Sequence, residues 1–227
     1  MTGTTTYPGA LDDYGSVVDS VDTVSASHVN DARRAIEAIE TELGTTPSGD
    51  HATLKARLEA ITAQIFLSAG AAVPKTTAGC AAAAQSEMAT NKQNLKTLDF
   101  DPTTEEHADF TFALPSDYNG GTMTAKLLWM HPATTTNFGV VWGIAGRCYA
   151  DGDALDAAPG TEVKVDDTGG TTSDVYISPA TAAITWAGTP AAGQLINLTV
   201  ARKPGEAGDT MAVDAKLIGV QLTYVRA

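Results

Sequence analysis

An apolar ladder near the beginning of the chain constrains the fold more than any other sequence feature. Val29, Ala32, Ile36, Ile39 and Leu43 follow one another at alternating spacings of three and four residues. This alternation fills the a and d positions of a heptad repeat on an α-helix. So narrow a stripe favours a seam between helices over the wider apolar face of a helix that packs on a globular core.

A second run of the same kind follows after a short break. Its spacings are four, three and four, and they predict a second helix over residues 50–67 that begins at Asp50. Isoleucine at both a and d positions favours three strands. We therefore predict a trimeric, coiled-coil-like stalk over residues 27–67, and its alternative is a helical hairpin packed on the rest of the same chain. The predicted seam is formed by Val29, Ala32, Ile36, Ile39, Leu43, Leu54, Leu58, Ile61 and Ile65.

Residues 1–26 precede the stalk as an arm rich in Thr, Asp, Ser and Gly. Its scattered apolar groups cannot bury enough surface to order the segment on its own. We predict that the arm docks on another subunit or another protein. The residues expected to make that contact are Tyr7, Pro8, Leu11 and Tyr14.

The rest of the chain divides into a connector and a β-rich head. Residues 68–98 are mostly small or polar and predict a connector with a short helix near Cys80–Met88. Residues 99–227 alternate β-type runs with Gly, Pro and Asp, the pattern of an antiparallel β-sandwich of jelly-roll type. The fold class is thus mainly β with a short helical stalk. The predicted strands are Phe110–Ala113, Met123–Met130, Val140–Tyr149, Thr161–Val165, Asp174–Ile177, Ala183–Trp186, Leu195–Arg202 and Ala215–Val225.

The composition excludes several classes of partner. The chain carries 27 acidic and 14 basic residues, and a net charge of -13 repels phosphate backbones, which argues against nucleic acid. The sequence contains no run of 18 apolar residues, so no membrane span is predicted. Its first residues lack the pattern of a signal peptide. Cys80 and Cys148 match no metal-site spacing. Buried thiols are the simpler interpretation, and a disulfide is the alternative.

The sequence contains no motif that predicts catalysis. It has no GxSxG elbow, phosphate-binding loop, dinucleotide fingerprint or HExxH helix, and its four histidines are scattered. We therefore expect no enzyme and no cofactor. The loop at 150–160 carries Asp151, Asp153 and Asp156, which could hold Ca²⁺ or could simply form a solvated turn. The tryptophans Trp129, Trp142 and Trp186 are predicted to fill the core, with a sugar-stacking platform as the alternative.

Residues 7–49 resemble a segment near the N-terminus of many tailed-bacteriophage virion proteins. The resemblance lies in a Tyr-Pro-Gly-Ala-Leu-Asp opening, a His-Val-Asn-Asp helix start at His28–Asp31, and an Ala-Ile-Glu-Ala-Ile-Glu-x-x-Leu-Gly-Thr ending at Ala35–Thr45. The stretches at 114–130 and 214–225 are similar to β-sandwich heads of phage structural proteins. The resemblance implies a homotrimer at the virion surface, whose arm docks on capsid or tail proteins and whose heads point outward.

Three functions therefore compete at the level of sequence. The first is a structural capsid decoration or head fibre. The second is a receptor-binding tail fibre or adhesin that recognises host-surface glycan through the loops at 115–121, 131–137 and 166–173. The third is an enzyme acting on cell-wall polymer, which would require paired carboxylates across a cleft.

Overall fold

The computed structural model describes residues 26–43, 47–132 and 138–227 of the chain. The chain divides into two compact units, residues 1–59 and 60–227. The predicted docking residues Tyr7, Pro8, Leu11 and Tyr14 lie outside the described residues. None of the helices in the described ranges is long and apolar enough to cross a membrane.

The first unit contains two helices, α1 (Ala26–Leu43) and α2 (Leu54–Glu59). Helix α1 confirms the helix predicted from the heptad ladder. The ladder residues Val29 and Ile36 are 59% and 55% exposed, and Ile39 and Leu43 are 40% and 45% exposed. Among the described residues, these four side chains of the stripe are therefore exposed. Assembly into a trimer stays a prediction.

The predicted second helix over residues 50–67 is wrong except for Leu54–Glu59, since residues 50–53 and 60–67 are not helical. Residues Thr62–Ser68 form strand β1, which pairs antiparallel with Ala215–Val225. Ile61 and Ile65 are therefore not part of a helical seam, and Ile65 packs on the core of the second unit. A spacing of four residues is even, so it places Ile61 and Ile65 on one side of a strand as well as on one side of a helix.

The second unit is a sandwich of two antiparallel sheets, which confirms the predicted fold class of the head. The strand β11 (Ala215–Val225) lies inside the first sheet, with β4 (Asn94–Phe100) and β1 along one edge and β6 (Thr124–Met130) along the other. In the second sheet β10 (Leu195–Arg202) lies between β5 (Glu106–Ala113) and β7 (Phe138–Tyr149). The remaining strands are β2 (Val73–Pro74), β3 (Ala84–Glu87), β8 (Val163–Gly169) and β9 (Tyr176–Ile177).

The predicted connector is wrong, because residues 68–98 belong to the sandwich. A 3-10 turn at Ala69–Ala71 leads into β2 on the edge of the second sheet, while β3 and β4 form an edge of the first. The segment predicted as a short helix near Cys80–Met88 contains β3 instead. The second unit thus begins at Ala60, well before the predicted boundary at residue 99.

The core lies between the two sheets and contains all three tryptophans. Trp129 and Trp142 are completely buried and Trp186 is 4% exposed, which confirms core packing and excludes these rings as an exposed sugar platform. Phe100 meets Trp142 edge to face at 5.3 Å between ring centroids. Strand β11 contributes alternate buried residues, as predicted, but a bulge between Leu217 and Gly219 shifts the alternation.

The bulge corrects the predicted inward face of β11. Val220, Leu222 and Tyr224 are buried as expected, whereas Ile218 is only half-buried and Leu217 takes the core position. A bulge inserts one extra residue into one strand, so the alternation of inward and outward side chains shifts by one residue there. The core residues on β11 are therefore odd-numbered before the bulge and even-numbered after it.

Both cysteines are buried free thiols, in agreement with the simpler sequence interpretation. Cys80 is 6% exposed and Cys148 is 1% exposed. Burial is the main cause that raises the pKa of the Cys80 thiol to about 12, and burial also raises the pKa of Cys148.

Candidate functional site

The outer face of the second sheet carries polar and aromatic side chains from three neighbouring strands. Residues on β10 that alternate with its core residues point away from the core. The strand register aligns them in rows across β5, β10 and β7. From one end of the sheet to the other, the rows are Ala113–Leu195–Tyr149, Thr111–Asn197–Arg147, Asp109–Thr199–Ala145 and His107–Ala201–Gly143.

The second row contains two polar atoms that lack partners. Asn197 and Arg147 are directly opposite each other on β10 and β7. Within the described part of the chain, the Asn197 Oδ1 acceptor and the Arg147 Nε donor are both buried without a hydrogen bond. Unpaired buried polar atoms cost about 1–3 kcal/mol each. Such atoms are uncommon in folded proteins, and they often mark a place where water or a ligand supplies the missing partner.

Arg147 connects this row with the tyrosine of the first row. Its guanidinium carbon lies 5.7 Å from the centre of the Tyr149 ring. The Arg147 Nη1 atom donates to the carbonyl of Ala158 at 3.0 Å, and the Tyr149 hydroxyl donates to the carbonyl of Leu155 at 3.0 Å. The loop between β7 and β8 is therefore held beside the sheet, and it forms one wall of the site.

An open depression of about 520 Å³ lies at this end of the sheet. Its lining combines aromatic, aliphatic, amide and carboxylate groups, including a Leu155 side chain that is 72% exposed. Such a mixture suits a ligand with both apolar and hydrogen-bonding surfaces. The lining residues are Tyr149, Ala150, Asp151, Gly152, Asp153, Leu155, Ala192, Gly193, Gln194 and Leu195.

Gln194 is fixed within the depression by its own oxygen. Gln194 Oε1 accepts hydrogen bonds from the Ala191 N–H at 3.0 Å and from the Cys148 thiol at 2.9 Å. Because the oxygen is occupied, the Gln194 amide nitrogen is the group available for a ligand. An amide nitrogen carries two donor hydrogens, so the lining of the depression includes a donor as well as the Tyr149 side chain.

The opposite end of the same face is an ion-pair cluster. Lys203 Nζ lies 2.5 Å from Glu105 Oε1 and 2.7 Å from Glu162 Oε2, and His107 Nε2 lies 3.4 Å from that same Glu105 oxygen. Desolvation lowers the pKa of His107. The pKa of Lys203 is raised, since the bonds to Glu105 and Glu162 outweigh the opposing effect of burial. These two carboxylates neutralise one lysine, so they do not form a free acid–base pair.

The predicted calcium loop forms part of the wall of the depression. Asp151 and Asp153 line it, and Asp153 Oδ2 accepts the N–H of Ala150 at 2.9 Å, which is the geometry of a turn. Within residues 26–43, 47–132 and 138–227, no three His, Cys, Asp or Glu side chains are grouped to hold a metal ion. Asp151, Asp153 and Asp156 therefore do not converge, and calcium binding there stays a prediction from the sequence.

The described residues of the three loops predicted to recognise glycan do not line the depression. The loop at 115–121 is tied to the last strand, because Asp117 accepts hydrogen bonds from Tyr224 and Arg226. Most of the loop at 131–137 lies outside the described residues. The segment at 166–173 begins inside β8.

The residues that make up the candidate site could not be recognised from the sequence. Arg147, Tyr149, Gln194 and Asn197 come from two strands and a turn, and Arg147 and Asn197 are fifty positions apart in the sequence. Both strands were predicted, but their pairing and register were not, so nothing placed Asn197 opposite Arg147. A polar residue at an outward position of a strand is common, and only the pairing makes this row unusual.

No family model and no curated protein sequence matches the chain. Solved structures with a similar β-sandwich include CBM35 from Cellvibrio japonicus Abf62, with 11% identity, a TM-score of 0.37, and coverage of 72% of this chain and 97% of that one. The CBM36-1 domain of a multidomain xylanase from the hindgut metagenome of Trinervitermes trinervoides has 8% identity and a TM-score of 0.35, with 70% and 96% covered.

A third similar structure is a cycloisomaltooligosaccharide glucanotransferase from Paenibacillus sp., with 11% identity and a TM-score of 0.37. The match covers 66% of this chain but only 18% of that enzyme. Similarity at this level assigns neither a family nor an activity. The function must therefore be inferred from the side chains of the depression and of the outer face of the second sheet.

Proposed function

We propose that the second unit is a non-catalytic carbohydrate-binding head, and that the chain carries this head on a virion appendage. The observation that carries the proposal is the row formed by Arg147 and Asn197 next to the Tyr149 depression. The row sets a donor and an acceptor that lack hydrogen-bond partners beside an aromatic ring on the outer face of the sheet, and a ligand would reach these two buried atoms after a side-chain rotation. A sugar presents the same combination, because its hydroxyl groups donate and accept while its ring carbons are apolar.

The charge of the site favours a neutral sugar. Asp151 and Asp153 line the depression, and the chain has a net charge of -13. Carboxylates on the wall repel an anionic ligand such as a uronic acid. A neutral glycan carries no such penalty and can donate its hydroxyls to these carboxylates.

The resemblance at residues 7–49 supports the virion part of the proposal. In this arrangement the arm docks on capsid or tail proteins, and helix α1 brings three copies together through Val29, Ile36 and Ile39. Three heads would then present three glycan sites in parallel. Multivalent presentation raises avidity without new contacts at any one site, so a head with weak affinity would still attach a particle to a host surface.

Binding to a printed array of neutral and acidic glycans tests the proposed function. We expect neutral glycans to bind the wild-type chain, and we expect Tyr149→Ala and Asn197→Ala to lose most of that signal. The matched control is Val175→Ala, which removes an exposed apolar side chain that is 56% accessible and lies outside the depression. The control should bind like the wild type.

Two results would overturn the proposal. Absence of binding to any glycan by the wild type would remove the carbohydrate function. Binding that survives both Tyr149→Ala and Asn197→Ala would place the ligand elsewhere on the chain. A preference for acidic glycans would contradict the charge argument and would exclude the depression as the contact surface.

The second candidate is a purely structural capsid decoration, and the exposed stripe on α1 favours it as much as it favours an adhesin. Such a protein needs an assembly surface and no ligand site. Binding of the purified chain to particles or capsids that lack it, with no glycan bound on the array, would select this function over the carbohydrate-binding head.

A further inference from the structure

The outer face of the first sheet carries an exposed aromatic ring that the proposed site does not use. Phe66 lies on β1 and is 53% exposed. Its side chain points away from the core, because Ile65 and Leu67 on either side of it pack inward. Phe66 is opposite Gln221 on β11, and its ring leans over the neighbouring Gly219.

Gly219 is the reason that the ring can lie on the sheet. A Cβ at this position would come within 2.6 Å of Phe66 Cζ and 2.8 Å of Phe66 Cε2. Any side chain at residue 219 would push the ring off the strand. The absence of one lets the Phe66 ring pack directly on the backbone of β11, while more than half of the side chain stays open to solvent. The result is a supported aromatic platform.

A pair of glutamines borders the platform. Gln221 Nε2 donates to Gln64 Oε1 at 2.9 Å, so each side chain fixes the other. This bond uses one donor and one acceptor, and it leaves Gln64 Nε2 as a donor and Gln221 Oε1 as an acceptor. The exposed Lys126 is opposite Gln221 on β6 and adds a cationic donor on the same face.

We infer that Phe66, Gln64, Gln221 and Lys126 form a second carbohydrate contact site, on the sheet opposite the proposed one. The apolar face of a pyranose ring would stack on Phe66, and neighbouring hydroxyls would meet the amide donor and the amide acceptor. This inference goes beyond the proposed function in its location and residues. It rests on that function for the class of ligand.

A sugar fits this surface better than an apolar protein partner does. Leu128 and Ile177 continue the apolar row beyond Gly219, but two amides and an ammonium group lie on the other side of the ring. A dry protein interface would have to desolvate these polar groups, and each one left unpaired would cost free energy. Sugar hydroxyls can supply partners for all of them.

The test uses NMR on protein in which only the phenylalanine rings are labelled with ¹³C. The chain has five phenylalanines, so Phe66→Ala identifies the signals of Phe66 by their loss. The probes are methyl β-glucopyranoside, methyl β-galactopyranoside and methyl N-acetyl-β-glucosaminide, each titrated separately. We expect at least one of them to shift the Phe66 signals saturably.

The variants separate this site from the proposed one. Gln221→Ala should weaken the affinity read from the Phe66 signals about fivefold, as expected for the loss of one neutral hydrogen bond. Tyr149→Ala should leave that affinity unchanged. Val73→Ala, which removes another largely exposed apolar side chain, is the matched control and should also change nothing.

Three results decide the matter. If none of the three probes shifts the Phe66 signals, the second site is overturned, and the array experiment on Tyr149 still stands on its own. If the probes shift Phe66 but Gln221→Ala has no effect, the amide pair takes no part and the site as described is overturned. If the Phe66 signals respond while Tyr149→Ala leaves array binding intact, the second site stands and the proposed site fails.

Discussion

Arg202 and Asp209 form a bidentate ion pair that is shut off from solvent. The two side chains are 0% and 1% exposed, and Arg202 Nη2 lies 2.8 Å from Asp209 Oδ1 while Arg202 Nε lies 3.0 Å from Asp209 Oδ2. The remaining guanidinium hydrogens donate to the carbonyls of Phe100, Val213 and Met211. One side chain therefore joins the end of β10 to β4 and to the segment that precedes β11.

We expect Arg202→Met to lower the free energy of unfolding by about 3–5 kcal/mol, because it leaves the Asp209 carboxylate buried and uncompensated. Urea denaturation followed by tryptophan fluorescence measures the change. The conservative variant Arg202→Lys should also destabilise the protein, since a lysine has three donors in place of five and cannot form the planar fork. Stability equal to that of the wild type in Arg202→Met would contradict the assignment of this pair.

We expect Asn197→Ala to separate stability from binding. The substitution removes an unsatisfied buried acceptor, so the free energy of unfolding should stay equal or rise by about 1 kcal/mol. The glycan signal should fall, because the proposed site uses the same atom as an acceptor once a side-chain rotation exposes it. Thermal denaturation measures the first effect and the array measures the second. A large loss of stability would instead mean that Asn197 has a structural role.

The two buried thiols should react slowly in the folded protein. Burial raises the pKa of Cys80 to about 12, so almost no thiolate is present at neutral pH. We expect Ellman's reagent to label both cysteines rapidly in guanidinium chloride and neither of them rapidly in buffer. Absence of free thiol after denaturation would show a disulfide and would contradict the structure.

The exposed apolar stripe on α1 predicts the molecular mass of the protein in solution. A trimer of the 23.4 kDa chain would have a mass of about 70 kDa by light scattering. Ile36→Asp combined with Ile39→Asp should reduce that mass to the mass of one chain. The matched control is Asn30→Asp with Thr41→Asp, which adds the same two charges at exposed helix positions outside the stripe. A wild-type protein with the mass of one chain would contradict the predicted seam between helices.

Low pH should weaken the hydrogen bonds that Asp117 accepts from Tyr224 and Arg226. The hydrogen bond from Tyr224 is the largest cause that lowers the pKa of Asp117, and Arg226 adds to it. A carboxylate with a lowered pKa stabilises the fold fully above its ordinary value of 3.8, and this contribution disappears as the pH falls through the lower folded value. We expect Asp117→Asn to flatten the dependence of the melting temperature on pH in that range.

Strands with a regular alternation could be predicted from the sequence, and β10 and β11 have the predicted bounds. Their alternation reports burial on one face, which is a local signal. The bulge at Ile218 could not be predicted, because it depends on how β6 pairs with β11. The strand around Trp186 was predicted wrongly, since Ile184 makes only an isolated bridge with Met123.

The end of the second helix was predicted wrongly because the helical and the strand periodicity coincide at this point of the sequence. Ile61 and Ile65 satisfy the helical pattern and the strand pattern equally, and pairing with β11 decides between them. The strands β3 and β4 were hidden by small and polar residues in a segment with weak alternation. The candidate site could not be predicted for a further reason. The contacts of Arg147 with Asn197 and of Phe66 with Gly219 depend on the register between strands that are distant in the sequence.

The position of β11 inside the first sheet has a consequence for biosynthesis. Its partners β1, β4 and β6 leave the ribosome long before residues 215–225 do, and until then β4 can pair only with β3, β6 only with β9, and β1 with no strand of this sheet. The head therefore cannot complete its first sheet during translation of residues 60–214. Most of its contacts join residues that are distant in the sequence, so we expect slow folding that begins only once β11 has been synthesised. A chain cut before residue 215 should stay unfolded.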